Sequence, residues 1–391
     1  MVFFIVQLAP GGPLEQRIMQ LQQAAAAEGG GGDVFGTTEI PPEAIEELKR
    51  FYGFDKPIYL RYLIWLGVYP RETDYQYLRP GKPKPVGEGV RLMVVKENGQ
   101  YKLVNADDPS QPVEGWYIGK ERERFGETVV EIYRKEFSGI LTGNFGKSFV
   151  YQEPVLNLIK ERIRISLQFG LIALILSYVI CTYLGIQKAL EHGTPFDLVT
   201  SILVFIGYSI PGWALGAVML ILFGGGSFWD VFPLGGFQSP DYESLSFFEK
   251  IWDRAYHAIL PTLSYTISSF ATLTVLMKNS LLENLSQDYI RTAFAKGLSE
   301  KRVIWLHALR NSVIPIAANI GFIIGVFVTG SYFIELVFNI DGFGKLSFEA
   351  ILTRDYPIVF SFAVIAVLIK LFGAIFSDMV LAMVDPRIRF Q

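Results

Sequence analysis

Beyond about residue 160, the chain alternates between long apolar runs and shorter polar stretches. The apolar runs cover residues 165–186, 198–223, 259–281, 313–334 and 358–384. A helix that crosses a bilayer needs about twenty predominantly apolar residues, and each run is long enough. The pattern therefore predicts five membrane-spanning helices.

A sixth apolar segment opens the chain but is too short to cross a bilayer. Residues 1–9, MVFFIVQLA, precede Pro10. They lack the basic start and the small-residue cleavage site of a signal peptide. We interpret them as the outer end of a first span whose beginning is missing from the sequence.

The distribution of Lys and Arg between the spans predicts the orientation. Segment 278–311 contains six of them, whereas the loops 224–258 and 335–357 contain two each. Because basic loops stay in the cytoplasm, 278–311 and the C-terminus are predicted inside, and residues 10–160 outside. Lys160, Arg162 and Arg164, close to the outer face, run against this rule. The six basic residues are Lys278, Arg291, Lys296, Lys301, Arg302 and Arg310.

Composition supports a membrane protein with a sizeable aqueous portion. The chain is 51% hydrophobic and 19% charged, with a mean hydropathy of +0.32. A net charge of −3 gives no basic surplus for nucleic acid. The single cysteine, Cys181, excludes an intramolecular disulfide, and the three histidines lie far apart in sequence, so no metal or other cofactor is expected.

The predicted outer segment has structural signals of its own. Residues 41–53, PPEAIEELKRFYG, begin with proline and end with glycine, which predicts a short amphipathic helix. Asn98-Gly99 lies between two runs rich in Val, Leu and Tyr and predicts a β-hairpin, and 127–136 can add a strand. We expect a small β-rich insertion over 70–137. A solvated decoration is the favoured interpretation, and a docking surface for an external partner is the alternative.

Residues 143–148, GNFGKS, resemble the end of a phosphate-binding loop. That loop requires another glycine five positions before its second glycine, and Leu141 stands there. No strand-then-helix context follows, and the segment is predicted outside. Nucleotide binding is not expected.

The polar, basic stretch between the third and fourth spans favours helix. Ile290, Ala293, Phe294 and Gly297 are spaced as one small-to-apolar stripe of a helix. Gly297 is also a natural C-terminal stop, and Ser299 is a good N-cap for a second helix.

The second helix gathers Ile304, Trp305, Ala308 and Leu309 on one side. Two short helices that meet at Gly-Leu-Ser form an elbow projecting from the bilayer. From the residues alone, this elbow could lie on anionic headgroups or insert into a groove on a cytoplasmic partner.

The elbow sequence resembles the coupling loop of ATP-binding-cassette import permeases, in its peptide-transporter form. The resemblance is carried by 292–301 (TAFAKGLSEK) and 307–311 (HALRN). The family pattern begins Glu-Ala-Ala and has glycine six positions after the Glu; here Arg291 replaces that Glu, and Gly297 matches the glycine. The resemblance assigns contact with the ATPase to Arg291, Thr292, Ala293, Phe294, Lys296, Gly297, Leu298, Ser299, Lys301 and His307.

Other segments resemble family motifs in the same order along the chain. They are 8–13 (LAPGGP), 52–58 (YGFDKPI), 144–148 (NFGKS), 355–357 (DYP) and 384–388 (VDPRI). The most similar branch is the B-type permease of Yej-type oligopeptide importers, which is associated with microcin C uptake. The insertion at 70–137 is not part of the common pattern.

The resemblance implies an all-α membrane fold, the type I ABC importer transmembrane fold. This chain would supply five full spans, a truncated first span and the β-rich insertion. The implied partners are a second permease subunit (forming a heterodimer), two cytoplasmic ATPase subunits, an external or periplasmic peptide-binding protein and membrane lipid. The chain would translocate oligopeptides by alternating access and hydrolyse nothing itself. A secondary transporter or channel is the alternative.

The implied organisation places functional parts in sequence order. They are the end of the first span (1–9), an external linker with amphipathic helices (10–69), the insertion (70–137), an external pre-span motif (138–161), the transmembrane domain (162–384) with its cytoplasmic elbow (286–311), and a cytoplasmic tail (385–391).

Lys370 lies near the middle of the last apolar run, where a charge costs several kcal/mol. Asp378 is two turns further on and about 80° around the helix, so it is a poor partner. Lys370 could pair with the companion permease, which is the favoured interpretation. It could also line the translocation path and meet peptide carboxylates, or extend its stem towards the headgroups.

Overall fold

The chain divides into two compact units, Met1–Gly146 and Lys147–Gln391. The computed structural model describes residues 2–8, 11–12, 14–15, 18–19, 42–51, 53–87, 90–97, 99–109, 111–124, 127–226 and 228–385. Most of the predicted linker and the tail beyond Asp385 lie outside these residues.

The first unit combines three helices with two small sheets. Its elements are α1 (Val2–Leu8), α2 (Pro42–Phe51), α3 (Ile58–Leu66), β1 (Arg71–Leu78), β2 (Lys84–Pro85), β3 (Arg91–Glu97), β4 (Gln100–Asn105), β5 (Trp116–Arg124), β6 (Glu127–Glu136) and a 3-10 turn at Ile140–Thr142.

The strands form two antiparallel sheets in the orders β1-β6-β5 and β2-β3-β4. Their apolar faces enclose a core of Leu78, Leu92, Val94, Val130 and Ile132. The predicted hairpin is present as β3 and β4, which Gly99 joins with a φ of 81°; Asn98 lies outside the described residues. The strand predicted at 127–136 is β6.

The predicted amphipathic helix is α2, and ion pairs hold it on the sheet. Arg50 Nη1 donates to the buried Glu131 carboxylate at 2.7 Å. Arg122 lies 3.2 Å from both Glu131 and Glu46. A hydrogen bond from Arg122 holds the pKa of Glu46 below its ordinary value.

The second unit is helical. Its elements are α4 (Val155–Leu190), α5 (Pro195–Ser209), α6 (Gly212–Phe223), a 3-10 turn at Tyr242–Ser244, α7 (Phe247–Leu285), α8 (Asp288–Ala295), α9 (Glu300–Arg302), a π-helical segment (Val303–Ala308), α10 (Leu309–Ser312), α11 (Ile314–Ala318), α12 (Ile320–Thr329), α13 (Tyr332–Val337), α14 (Phe343–Leu352) and α15 (Tyr356–Val384).

Within the described residues, α4 and α15 are single helices long and apolar enough to cross a membrane. Two bent pairs raise the number to four if each is one span: α5 with α6, and the two parts of α7 on either side of a 51° bend. The run 313–334 is divided among shorter helices, and α12 ends where Gly330 takes a φ of 73°. The count of five full spans therefore remains a prediction.

The apolar run 198–223 is interrupted at Pro211-Gly212. Helix α5 ends at Ser209, α6 begins at Gly212, and the two axes differ by 96°. Proline has no backbone N–H with which to continue the helical ladder, so the first helix ends before it.

Helix pairs approach closely at glycines. A Cβ on Gly185 of α4 would lie 2.6 Å from Met277 of α7, and one on Gly321 of α12 would lie 1.8 Å from the Gly373 carbonyl oxygen of α15. These positions leave no room for a side chain, so backbone contact sets the spacing of both pairs.

Polar side chains fasten the start of α4 to later segments. Ser148 Oγ donates to the buried Asp355 carboxylate at 2.5 Å, and the N–H groups of Phe149 and Val150 also donate to it. Thus the NFGKS and DYP motifs, more than 200 residues apart, meet in a structural contact. Arg162, one of the three exceptions to the charge rule, lies 2.7 Å from Asp341, which offsets its charge.

Candidate functional site

The first helix of the predicted elbow is α8, and it ends where the sequence predicted. Gly297 takes a φ of 79°, the left-handed conformation that favours glycine. Its N–H donates to the Phe294 carbonyl at 2.9 Å, and the Leu298 N–H donates to the Ala293 carbonyl at 3.3 Å. This bonding satisfies carbonyls left open at the helix end, so the corner has a defined geometry.

Ser299 occupies the N-cap position of the second helix, as predicted. Its backbone is extended, and its carbonyl accepts from the N–H groups of Arg302 and Val303. Its side chain makes no capping hydrogen bond. The predicted position is confirmed, but the hydroxyl does not cap the helix.

The second helix contains a feature that the sequence pattern did not reveal. Val303–Ala308 forms a π-helical segment, in which the Leu309 N–H donates to the Ile304 carbonyl. Such wider turns are rare and occur frequently at functional sites. Trp305 is exposed, whereas Ile304 and Ala308 are buried, so the predicted grouping of these residues on one side of the helix is wrong for Trp305.

The inner face of the elbow packs against the ends of α4 and α7. Buried apolar residues from all three parts form one cluster. Its elbow members are Ile290, Ala293, Val303 and Ala308; its helix members are Ile186, Ala189, Met277 and Leu281. The elbow is therefore fixed to two long helices by a continuous core.

Hydrogen bonds close the base of the elbow. The Tyr289 hydroxyl donates to Asn284 Oδ1 at 2.7 Å and accepts from Asn311 Nδ2 at 3.1 Å. These residues join α7, α8 and α10. Nothing in the spacing of these residues along the sequence indicates that they meet.

The outer face of the elbow, defined by its exposed residues, carries large apolar and basic side chains. Phe294 is 45%, Trp305 50% and Leu306 60% exposed. Within the predicted stripe, Ile290 and Ala293 are buried, whereas Phe294 and Gly297 are exposed. The exposed basic residues are Arg291, Lys296, Lys301, Arg302 and Arg310.

Most of the residues assigned to ATPase contact by resemblance lie on this outer face. Ala293 is buried and Leu298 is half-buried. The exposed members are Arg291, Thr292, Phe294, Lys296, Gly297, Ser299, Lys301 and His307.

Lys370 and Asp378 are both exposed on α15, away from its buried face. Apolar neighbours surround Lys370, among them Val367 and Leu371, each more than half exposed. The structure shows no ion pair between Lys370 and Asp378, nor any partner for Lys370 among the described residues.

The long apolar helices and the packed elbow define a helical membrane protein. Residues 163–390 match the family model described as the binding-protein-dependent transport system inner membrane component, and the chain belongs to this family. The predicted fold class and the class of importer permease are thereby confirmed.

Individual relatives cover the chain from end to end. It is 33% identical over 408 residues to the peptidoglycan transport system permease protein YejB of Agrobacterium fabrum. It is 33% identical over 412 residues to the inner membrane ABC transporter permease protein YejB of Escherichia coli O157:H7, and 26% identical over 390 residues to the dipeptide transport system permease protein DppB of Lactococcus lactis. Each alignment covers 100% of this chain and 93% of the relative.

Proposed function

We propose that this chain is the permease subunit of an importer that carries oligopeptides, including microcin C-like peptides, across the cytoplasmic membrane. The family and the end-to-end similarity to two YejB permeases support the transport role. The similarity to a dipeptide permease supports a peptide as the cargo.

In this proposal, the elbow docks into a cleft of a cytoplasmic ATPase. The observation that carries it is the contrast between the two faces of the elbow: a buried core fixes one, and the other exposes Phe294, Trp305 and Leu306 together with basic residues. Exposed aromatic side chains accompanied by arginine are typical of protein interfaces. Because the inner face is firmly packed, motion imposed on the outer face passes to α4 and α7.

Transport then follows from alternating access. Two partner ATPases close on ATP and move the elbow, and the helices reopen to the other side. A second, different permease completes the path, and an external binding protein delivers the peptide. The chain itself performs no hydrolysis. The basic elbow and the C-terminus lie inside and residues 10–160 outside, in agreement with the distribution of Lys and Arg.

Two further parts have proposed roles. The sheets at 71–136 form an external insertion that is a solvated decoration rather than a docking surface. Lys370 contributes to the permease interface or the translocation path, with Asp378 on the same exposed helix.

Gentle purification of the chain from its native membrane tests this function. We expect two ATPase subunits and a second permease to co-purify, and the reconstituted complex to take up peptide only with ATP and loaded binding protein. A chain that purifies alone and takes up peptide on an ion gradient without ATP would contradict the proposal.

A further inference from the structure

A buried polar cluster lies beside the elbow and takes no part in the docking described above. At its centre is Asp197, in the first turn of α5 and only 6% exposed. Lys278 of α7 donates to its two carboxylate oxygens at 2.7 and 2.8 Å. The Gly193 N–H donates to it at 3.2 Å, and His192 Nδ1 lies 3.1 Å away.

Lys188, near the end of α4, completes the cluster. It is 1% exposed, and its Nζ lies 3.1 Å from the Asp197 carboxylate. It also donates to the Asp197 carbonyl, Thr200 Oγ1 and Ser201 Oγ at 2.7–2.9 Å. One carboxylate thus joins α4, α5 and α7.

The lysines of this cluster are neighbours in sequence of the residues that hold the elbow. On α4, Lys188 lies between Ile186 and Ala189; on α7, Lys278 follows Met277. All three apolar neighbours belong to the cluster that packs against the elbow. The same short stretches of helix therefore contact the elbow on one side and Asp197 on the other.

Helix α5 is the first half of the pair with the 96° bend. Of its fifteen residues, thirteen are partly or fully exposed in the described structure, and the two buried ones are Asp197 and Val204. The ion-pair cluster is therefore a buried polar attachment of α5 to α4 and α7.

We propose that Asp197 is a positioning residue that fastens α5 to the elbow platform, so that displacement of the elbow moves the bent pair. This inference rests on the proposed function. A buried ion pair with every polar atom bonded holds a single geometry, and a link that transmits motion requires such rigidity. In this proposal, the cluster joins the elbow, which the ATPases move, to the bent pair of α5 and α6.

Two variants distinguish a role of the cluster in transmitting motion from a role in stabilising the fold alone. Asp197→Asn leaves the buried Lys188 and the partly buried Lys278 without a carboxylate and can impair folding. Lys278→Gln is milder, because Lys188 remains paired with Asp197 and only the link to α7 is lost. Glu191→Gln is the matched control: it removes an exposed acid from the neighbouring turn, outside the cluster.

The readout is the number of peptides taken up per ATP hydrolysed by the assembled complex in vesicles. We expect Lys278→Gln to assemble and hydrolyse ATP while this ratio falls at least about threefold; Asp197→Asn, where it assembles, should fall further. Glu191→Gln should match the unmodified complex.

An unchanged ratio in assembled Lys278→Gln complex would overturn the inference. Failure of both cluster variants to assemble, with Glu191→Gln intact, would also overturn it, since the cluster would then serve folding alone. An unmodified complex without ATP-driven uptake would instead contradict the proposed function, which keeps the two failures distinct.

Discussion

Gly297 shows how one residue shapes the docking corner. Its φ of 79° is strained for any residue with a Cβ, and a branched side chain increases the cost. No other atom of the described chain lies within 4 Å of the place of a Cβ, so the effect of a substitution comes from the backbone and from the partner. We expect Gly297→Val to lower both peptide uptake and substrate-stimulated ATPase activity, with little effect on the amount of folded permease.

Gly297→Asn is the control for this change. Asparagine tolerates the left-handed conformation far better than valine, so this variant should retain more of both activities. Full activity of Gly297→Val in both assays would exclude a coupling role for the corner.

Lys370 is the second informative residue. It is exposed among apolar side chains and has no partner in the described part of the chain, which agrees with a partner on the companion permease. Lys370→Met removes the charge and keeps the length of the stem. We expect the complex to assemble poorly or to melt at a lower temperature, measured by thermal unfolding of the purified complex.

Leu371→Met, at the neighbouring exposed position, should leave assembly unchanged. Normal assembly of Lys370→Met with weakened transport of peptides that bear a free carboxylate would place Lys370 in the path. Normal assembly with unaltered transport would leave only the lipid-facing explanation.

At the scale of elements, the pair α12 and α15 depends on two facing glycines. Gly321→Ala would place a Cβ 1.8 Å from the Gly373 carbonyl oxygen, so the helices must separate. Overpacking of this kind typically costs about 1–3 kcal/mol. We expect a lower melting temperature for the purified chain in detergent.

Gly325 lies one turn further along α12 and has no atom within 4 Å of its Cβ position. Gly325→Ala should therefore leave the melting temperature unchanged or raise it, because alanine favours helix. Equal melting temperatures for the two variants would contradict close backbone packing at Gly321.

The elements that the sequence predicted well are those with strong local signals. The β3–β4 hairpin follows from Asn98-Gly99, and the end of α8 follows from Gly297. The π-helical turn at Val303–Ala308 and the division of the run 313–334 had no such signal. Both depend on how the helices pack, and apolar composition alone does not encode that packing.

At the candidate site, too, contacts between residues distant in sequence could not be predicted. Resemblance selected the elbow residues, but it did not show that Trp305 faces outward or that Tyr289 closes the base. In the sequence, nothing distinguishes Lys188, Asp197 and Lys278 from other charged residues. Their ion pairs join three helices. The spacing of residues along a single sequence does not reveal such contacts.

On the scale of the whole molecule, the external insertion can be removed at a natural junction. Arg71 of β1 pairs with Glu136 of β6, so the two ends of the insertion are adjacent across an antiparallel ladder. Deletion of 72–135 with a short Gly/Ser link should leave the helical unit assembled and peptide uptake unchanged. The measurement is uptake at limiting concentrations of binding protein.

The result distinguishes the two interpretations of the insertion. A reduced apparent affinity for the loaded binding protein would contradict the decoration that we favour and assign the insertion to docking. Gly/Ser links of two lengths control for strain at the junction.

Photo-crosslinking of the intact complex tests the central claim, that the outer face of the elbow contacts the ATPase. A photoreactive benzoylphenylalanine replaces Trp305 in one variant and Trp252 in another; both positions are exposed, and Trp252 lies at the start of α7 in a predicted outer loop. If the outer face of the elbow contacts the ATPase, we expect an adduct with the ATPase from position 305 and none from position 252. An ATPase adduct from position 252, or none from position 305 in a complex that contains the ATPase, would contradict it.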